Sequence, residues 1–363
     1  MDVMTGAGGF LGWHVRALAH LRGHDEARRI RLGRDADPAS IATAVDGADR
    51  VLHLAGVSRA SDDDLRDGNV LFAEQLARAV TTSDSPPATI VYANSIQSGA
   101  ATAYGQGKER AFEVLQVAAD AVGADLVDLR LPNVFGEHGR PQYNSCVATF
   151  CDDLTSGREP RLLVDNRCGF VSAQTSAEFV LGERPASELA SAAHWRLVSE
   201  IMSELIEIDR EYTGVAVPAL DRGLRRDLVN VYRSFSFARR PVIDLEGHVD
   251  HRGAFHEIVR SDVGGGQTSY STTAPGVTRG QHVHRRKVER FCVVGGDAVI
   301  RLRRLLTDEV VEIPVSGDHP VAVDIPTLWA HSIVAVGDRP VQTIFWVDEP
   351  FDPARPDTYQ EDV

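Results

Sequence analysis

Glycines 6, 9 and 12, in the segment Thr5-Gly-Ala-Gly-Gly-Phe-Leu-Gly12, follow directly on the first apolar run. No other feature constrains the first half of the chain so strongly. Glycines after a strand permit a tight turn and close backbone approach to a bound group, while the next helix turns its N-terminus toward that group's phosphates. Phe10, Leu11, Val15, Leu18 and Leu21 recur behind the loop at helical spacing, and Gly23 supplies a stop. Strand, glycine turn and amphipathic helix in this order predict the opening of a dinucleotide-binding βαβ unit. Gly6, Gly9, Phe10, Leu11 and Gly12 are its expected cofactor contacts.

The alternation continues. Strand-like runs at Arg50–Val57, Ala88–Ser95 and Asp125–Gly136 are separated by amphipathic stretches at Leu71–Val80 and Glu109–Val122. Such a pattern predicts an α/β Rossmann-type, doubly wound parallel sheet. The acidic run after Ser61 reads as a solvated helix start. From Ala186 to Val231 the pattern is helical and less regular, as in a lid or substrate-binding subdomain. Arg233–Pro241 reads as a linker. Beyond it helical periodicity ends, and short β-rich runs such as Glu289–Val294, Asp297–Arg304 and Gln342–Val347 are separated by Gly, Pro and Asp. These predict an all-β barrel or sandwich. A chain of 363 residues is long enough for two domains, which we place at 1–240 and 241–363.

The formal net charge of −14 disfavours nucleic acid as a partner. No apolar run approaches the roughly 20 residues that span a bilayer, and Met1–Phe10 has no basic and apolar leader pattern. The four cysteines form no CxxC pair. Free thiols and a cytoplasmic location are expected.

The second strand, Arg29–Arg34, ends without the acidic residue that would take a ribose 2′-hydroxyl. It offers Arg31 and Arg34 instead. They either accept a 2′-phosphate, which favours NADPH over NADH, or are simply exposed. Tyr104 and Lys108 have the spacing of neighbours on one helix face. An ammonium there is expected to lower the phenol pKa, so that the tyrosine exchanges a proton at neutral pH. Ser95, at a strand end, can hydrogen-bond the same substrate carbonyl.

In the β-rich half, His282 and His284 share one strand face. With Glu289 and His331 they make a ligand set for a divalent metal, with room for water or substrate. Lys287 lies between them in sequence. It is either a base whose amine is depressed by the metal or an exposed strand lysine.

Residues 1–136 resemble the extended short-chain dehydrogenase/reductase family through the glycine loop, His53-Leu-Ala-Gly56, Ser95, the Tyr-x-x-x-Lys spacing and Arg130-Leu-Pro-Asn-Val-Phe-Gly136. The resemblance implies that Ser95, Tyr104 and Lys108 are catalytic, with Tyr104 and Lys108 also touching the cofactor. It implies that Leu54, Ala55 and Gly56 line the cofactor, and that Pro132, Asn133 and Val134 lie near nicotinamide and substrate. Gly169–Val180 lacks the Asp-Val-Val segment common in that family.

Gly276-x5-His282-x-His284-x4-Glu289-x6-Gly296 resembles the first motif of cupin barrels, and His331 takes its place in the second motif, where Leu328 replaces a usual glycine. Asp250–Glu257 resembles the opening strand of cupin-type nucleotide-sugar epimerases. Taken in order, these segments and Phe345–Tyr359 are similar to the capsular-polysaccharide reductases known as CapF. That resemblance implies a UDP-2-acetamido-2,6-dideoxy-4-keto-hexose substrate, epimerised at C3 in the cupin and reduced at C4 with NADPH. The product would be a UDP-L-talosamine-type precursor of N-acetyl-L-fucosamine. Zinc and a homodimer are also implied. The alternative is a reductase of another nucleotide-linked 4-keto-6-deoxy sugar, with the cupin as a dimerisation module.

Overall fold

Apolar runs short enough for strands, each followed by a stretch with one apolar helical face, fold in the first part of the chain into a layered α/β unit. The structure, a computed structural model, describes residues 1–220, 223–251, 253–261 and 265–363. In chain order the elements are β1 (Asp2–Thr5), α1 (Phe10–Leu21), β2 (Arg28–Ile30), α2 (Pro38–Val45), β3 (Arg50–His53), α3 (Asp62–Thr81), β4 (Thr89–Ser95), α4 (Ala103–Val122) and β5 (Asp125–Leu131). The strands form one sheet in the order β2-β1-β3-β4-β5, with every neighbouring pair parallel. Val3, Val51 and Ile90 bury one face against Leu76 and Leu115, while Met4, Leu52 and Val91 bury the other against Val15 and Leu18. Both faces are therefore covered by helices, as a parallel sheet requires. The order reverses direction at β1 and β3, which opens a crevice at the carboxyl ends of these strands.

Two strands stop earlier than the sequence suggests. β2 ends at Ile30 because the loop behind it turns at Gly33, whose N–H and C=O are both taken by the Gln75 carboxamide (2.9 and 2.8 Å). β3 ends at His53, and Leu54–Gly56 leave the ladder to pass beneath the glycine loop. The acidic run does start a helix. Ser61 Oγ accepts from the Asp64 N–H, and Asp62–Asp64 sit in the first turn of α3, where negative charge is favoured.

Next come β6 (Asn133–Phe135), α5 (Cys146–Thr155), β7 (Arg167–Ser172), α6 (Ala173–Leu181), a 3-10 turn at Ala186–Glu188, α7 (Leu189–Ala192) and β8 (His194–Leu197). β7 pairs parallel with β6 and antiparallel with β8. The stretch from Ala186 is thus not purely helical. β8 holds an edge of the small sheet before α8 (Val198–Glu211) and α9 (Leu224–Arg239).

The β-rich part comprises β9 (Ile243–Asp244), β10 (Gly247–Asp250), β11 (Gly253–His256), β12 (Gln267–Thr273), β13 (Thr278–Val283), β14 (Glu289–Gly295), β15 (Asp297–Arg304), β16 (Val310–Ser316), β17 (Val321–Ile325), β18 (Trp329–Ala335), β19 (Val341–Val347) and β20 (Tyr359–Gln360). Two five-stranded antiparallel sheets, β12-β19-β14-β17-β9 and β16-β15-β18-β13-β20, enclose a core that includes Val293, Val323, Ile300, Leu302 and Ile333. The segment Asp250–Glu257 contributes to the hairpin of β10 and β11, although Arg252 lies outside the described residues.

The expected linker at Arg233–Pro241 is corrected by the structure. Residues through Arg239 belong to α9, and three anchors hold its last turns. The buried Arg233 donates to the Ile325 carbonyl (2.7 Å), Phe237 meets Trp329 edge-on at 5.2 Å, and Arg239 pairs with Asp152 (2.6 Å). Leu228, Val231, Tyr232 and Phe237 form the buried face, and the arginines and serines between them disguised it.

The chain groups into two units. One comprises Met1–Phe135, Gly139–Cys146 and Asp165–Val198; the other comprises Gly136–His138, Val147–Val164 and Ser199–Val363. Helices α8 and α9 thus group with the β-sheets, and no single cut at residue 240 separates the units. Among the described residues, no helix is long and apolar enough to cross a membrane.

Candidate functional sites

In the first unit the carboxyl ends of the parallel strands open into a cleft of about 590 Å³. Its wall includes Gly6, Gly9, Phe10, Leu11 and Gly12 of the glycine loop and first helical turn, and Leu54 and Gly56 after β3. Ser95, Tyr104, Lys108, Pro132, Asn133 and Val134 line it as well. The glycines are needed where they stand. Gly6 has φ +71°, and a Cβ on it would lie 2.6 Å from the Ala55 nitrogen; one on Gly12 would lie 2.2 Å from the Gly6 carbonyl oxygen. The loop is a cradle that side chains would fill, and it fits a pyrophosphate at a helix N-terminus.

Ala55 supports the loop from behind, its N–H donating to Thr5 Oγ1 (3.2 Å), which also meets His53 Nδ1 at 2.8 Å. Arg31 and Arg34 stand exposed in the loop after β2 and are not part of the cleft wall; Arg34 is shared with Asp64 at 3.2 Å.

Ser95 ends β4, and Tyr104 and Lys108 occupy successive turns of α4, whose N-cap is Thr102. Lys108 is 3% exposed. Its Nζ donates to the Ala93 carbonyl (2.7 Å) and lies 4.2 Å from the centre of the Tyr92 ring. Burial pulls this amine down to about 7, against the opposing charge of Asp128. Burial also raises the Tyr104 phenol above its ordinary value, opposed by a hydrogen bond with Ser95. The expectation that an ammonium lowers the phenol is thus corrected: desolvation dominates both groups, keeping the phenol neutral and leaving the amine only partly protonated near pH 7. A neutral phenol is a proton donor.

In the second unit, His282 and His331 are directly paired across β13 and β18, next to a register shift between Gly280 and His282. Their rings lie 4.4 Å apart, and the His282 and His284 rings lie 4.9 Å apart. Glu289 reaches in from β14 of the other sheet, its Oε2 3.2 Å from both His284 Nε2 and His331 Nε2. One ligand atom from each of the four residues lies within 4.8 Å of the others. His284 Nε2, His331 Nε2 and Glu289 Oε2 are buried without a well-aligned hydrogen-bond partner. Buried polar atoms left in this way are costly, and three nitrogens with a carboxylate fit a divalent cation. His284 Nδ1 is engaged by the Asp357 carbonyl, which leaves Nε2 to face the cluster. Burial, aided by His331 and His284, lowers His282 to about 4, keeping it in the neutral form that ligates a metal.

Asp357, which nothing in its own stretch of sequence marks out, organises the turn between the ligands. Its carboxylate accepts from the backbone N–H groups of Arg285 (3.3 Å), Arg286 (3.0 Å) and Lys287 (3.0 Å). Lys287 is buried, so the exposed-lysine alternative does not hold. Its Nζ donates to the Pro356 carbonyl (2.5 Å). Leu328 takes φ +65°, the left-handed conformation that the replaced glycine would favour, so the turn survives the substitution. Asn69 was likewise missed. Its carboxamide bonds both backbone groups of Val57 (3.1 and 2.9 Å) and so fixes the exit of β3 at the cleft.

The family model described as Polysaccharide biosynthesis C-terminal domain matches residues 248–359. A UDP-2-acetamido-2,6-beta-L-arabino-hexul-4-ose reductase from Pseudomonas aeruginosa strain PA103 is 31% identical, covering 98% of this chain and 97% of its own length. The spore coat polysaccharide biosynthesis protein SpsL of Bacillus subtilis strain 168 is 30% identical over 31% of this chain and 81% of its own length. The crystal structure of capsular polysaccharide assembling protein CapF from Staphylococcus aureus matches with 30% identity and a TM-score of 0.63, covering 100% of both chains.

Proposed function

The chain belongs to the CapF-type capsular polysaccharide biosynthesis enzymes, and from that premise we propose that it carries out two consecutive steps on one nucleotide sugar. The substrate is a UDP-2-acetamido-2,6-dideoxy-4-keto-hexose. The cupin inverts C3, and the short-chain reductase unit reduces the C4 ketone, giving a UDP-L-talosamine-type precursor of N-acetyl-L-fucosamine. One observation carries this reading: a single chain holds both a Ser95, Tyr104 and Lys108 cleft and a converging His282, His284, Glu289 and His331 cluster.

In the reductase cleft, NADPH held on the glycine loop would supply the hydride. Tyr104, kept neutral by burial, donates its proton to the sugar oxygen as charge develops there. Ser95 hydrogen-bonds that oxygen and the phenol. Lys108, fixed by Ala93 and Tyr92, stands ready to return the proton. Arg31 and Arg34 are the candidates for a 2′-phosphate; Arg34 would exchange Asp64 for it.

In the cupin, a divalent metal, zinc in this reading, would supply Lewis acidity toward the oxygen of a C3 enolate. His282, His284, Glu289 and His331 would hold it, and the Asp357 carbonyl orients His284. Lys287 is our candidate base that takes the C3 proton, with water returning one to the opposite face; release of its Nζ from the Pro356 carbonyl is then part of the cycle. A cytoplasmic homodimer belongs to the same reading.

The test is solvent deuterium exchange at C3 of the 4-keto sugar without NADPH, followed by NADPH oxidation with the same sugar. Exchange and oxidation together are expected. Oxidation of a ready-made epimer without exchange would reduce the cupin to a dimerisation module. A clear preference for NADH would remove the role given to Arg31 and Arg34.

A further inference from the structure

At the mouth of the reductase cleft, two exposed arginines approach one partly exposed tyrosine. The Arg140 guanidinium lies 5.1 Å from the centre of the Tyr143 ring, and that of Arg59 lies 5.8 Å from it. Arg59 also donates to the Gln142 carbonyl (2.8 Å) and to that of Tyr143, and Asn144 Nδ2 donates to Ser58 Oγ (2.6 Å). These bonds tie the loop to the exit of β3 and fix Tyr143 in the wall. Arg140 and Tyr143 line the same cleft as Tyr104. Among the described residues, neither arginine has a carboxylate at ion-pair distance.

Acidic residues outnumber basic ones by 52 to 38, and many of its arginines pair with a carboxylate, as Arg34, Arg226 and Arg290 do. A guanidinium left without an acid in a concave wall attracts an anion into a protein that otherwise repels it. A cation–π contact with Tyr143 holds the guanidinium near the ring while leaving its N–H groups for a ligand. The cofactor's own pyrophosphate already has a seat at the glycine loop.

We propose that Arg140, beside the Tyr143 ring, binds the diphosphate of the nucleotide-sugar substrate, with Arg59 as the positioning residue of that loop. The inference rests on the nucleotide-sugar reading above and adds the group that would anchor the substrate. It gives the diphosphate a place in the same cavity as the tyrosine that must meet the sugar carbonyl.

Calorimetric titration of the full-length protein with UDP, and separately with NADPH, tests the assignment. Arg140→Gln is expected to weaken UDP about tenfold, the loss of one charge-assisted contact. It should leave NADPH binding intact, which also shows that the variant is folded. Arg140→Lys should recover part of the loss, because it keeps the charge without the planar fork. UDP affinity unchanged in Arg140→Gln overturns the proposal. So does an equal loss for NADPH, which would give the guanidinium to the cofactor. A wild-type protein that binds UDP through Arg140 yet reduces no 4-keto sugar would sink the proposed activity and leave this site standing.

Discussion

Glu289 Oε2 on β14 and His331 Nε2 on β18 approach to 3.2 Å, so two strands of different sheets deliver a carboxylate and an imidazole to one point. His284 Nε2 stands at the same distance from the same oxygen. Burial by itself would raise Glu289, yet His284 and His331 hold it well below the ordinary carboxylate range. Burial by itself would lower His284, and Glu289 outweighs it and raises the imidazole instead. Without a metal, a proton on His284 would offset the Glu289 charge.

A cation must therefore displace that proton. We expect the full-length protein to retain a divalent metal through dialysis at pH 8 and to lose it as the pH is lowered, because protons compete with the metal for its ligands. Glu289→Gln should lower occupancy at every pH. Elemental analysis of dialysed samples is the check; occupancy indifferent to both pH and Glu289 would refute the site.

Tyr104→Phe removes the phenol hydroxyl that hydrogen-bonds Ser95 in the cleft. NADPH oxidation with the 4-keto sugar should fall about 10²–10⁴-fold, with NADPH binding retained. A rate within a factor of about two of wild type, less than a single catalytic contact is worth, would mean that the proton comes from elsewhere.

Lys108 links stability to pH. Its folded value is near 7 and its unfolded value near 10.5, so between them the unfolded chain binds the extra proton. Stability of the cofactor-free protein should rise with pH across that window, and the penalty should be complete below it. In Lys108→Met this rise should be absent. Urea midpoints at pH 7 and pH 9 for both proteins measure the difference, and equal slopes would contradict the burial effect.

Leu328 sets side-chain burial against backbone strain. It is 2% exposed at φ +65°. Leu328→Ala loses the packing and keeps the strain, for about 2–5 kcal/mol. Leu328→Gly loses the same packing but relieves about 1–2 kcal/mol of left-handed strain. The glycine variant should therefore be the more stable of the two in denaturant melts, the reverse of the usual order within strands and helices.

Arg290 is fully buried and bidentate on Asp324 (2.6 and 3.0 Å), whose other partner is the Tyr212 hydroxyl. Asp324→Asn leaves that guanidinium without a counter-charge and should cost about 3–5 kcal/mol. Replacing both residues with apolar ones should cost less than the single change. Chemical denaturation of the three variants tests the sign.

How much of this was legible depended on whether a feature is local. The glycine loop, the Tyr104 and Lys108 spacing and the His282, His284, Glu289 pattern are short-range, and the fold gathers each set. The α9 helix was hidden because its buried face is interrupted by arginines whose partners lie far along the chain, as Arg233 does with Ile325. Asp357 and Asn69 escaped for the same reason. Each acts through backbone groups remote in sequence, and nothing in their own neighbourhood announces it. The direction of the Tyr104 shift depends on burial, which spacing alone does not report.

The interlacing of the two units has a consequence for synthesis. The first unit has all its segments once residue 198 has emerged from the ribosome, whereas the second needs Gly136–His138 and Val147–Val164 together with the chain through Val363. Those early segments must wait while about 200 further residues are made, roughly 10–40 s at ordinary elongation rates. During that interval Val147, Ala148, Phe150 and Cys151, buried in the finished protein, have none of the Ser199–Val363 segment around them. The same continuous chain that keeps two chemistries together thus leaves an apolar helix without its partners in the nascent polypeptide, a natural point of chaperone dependence.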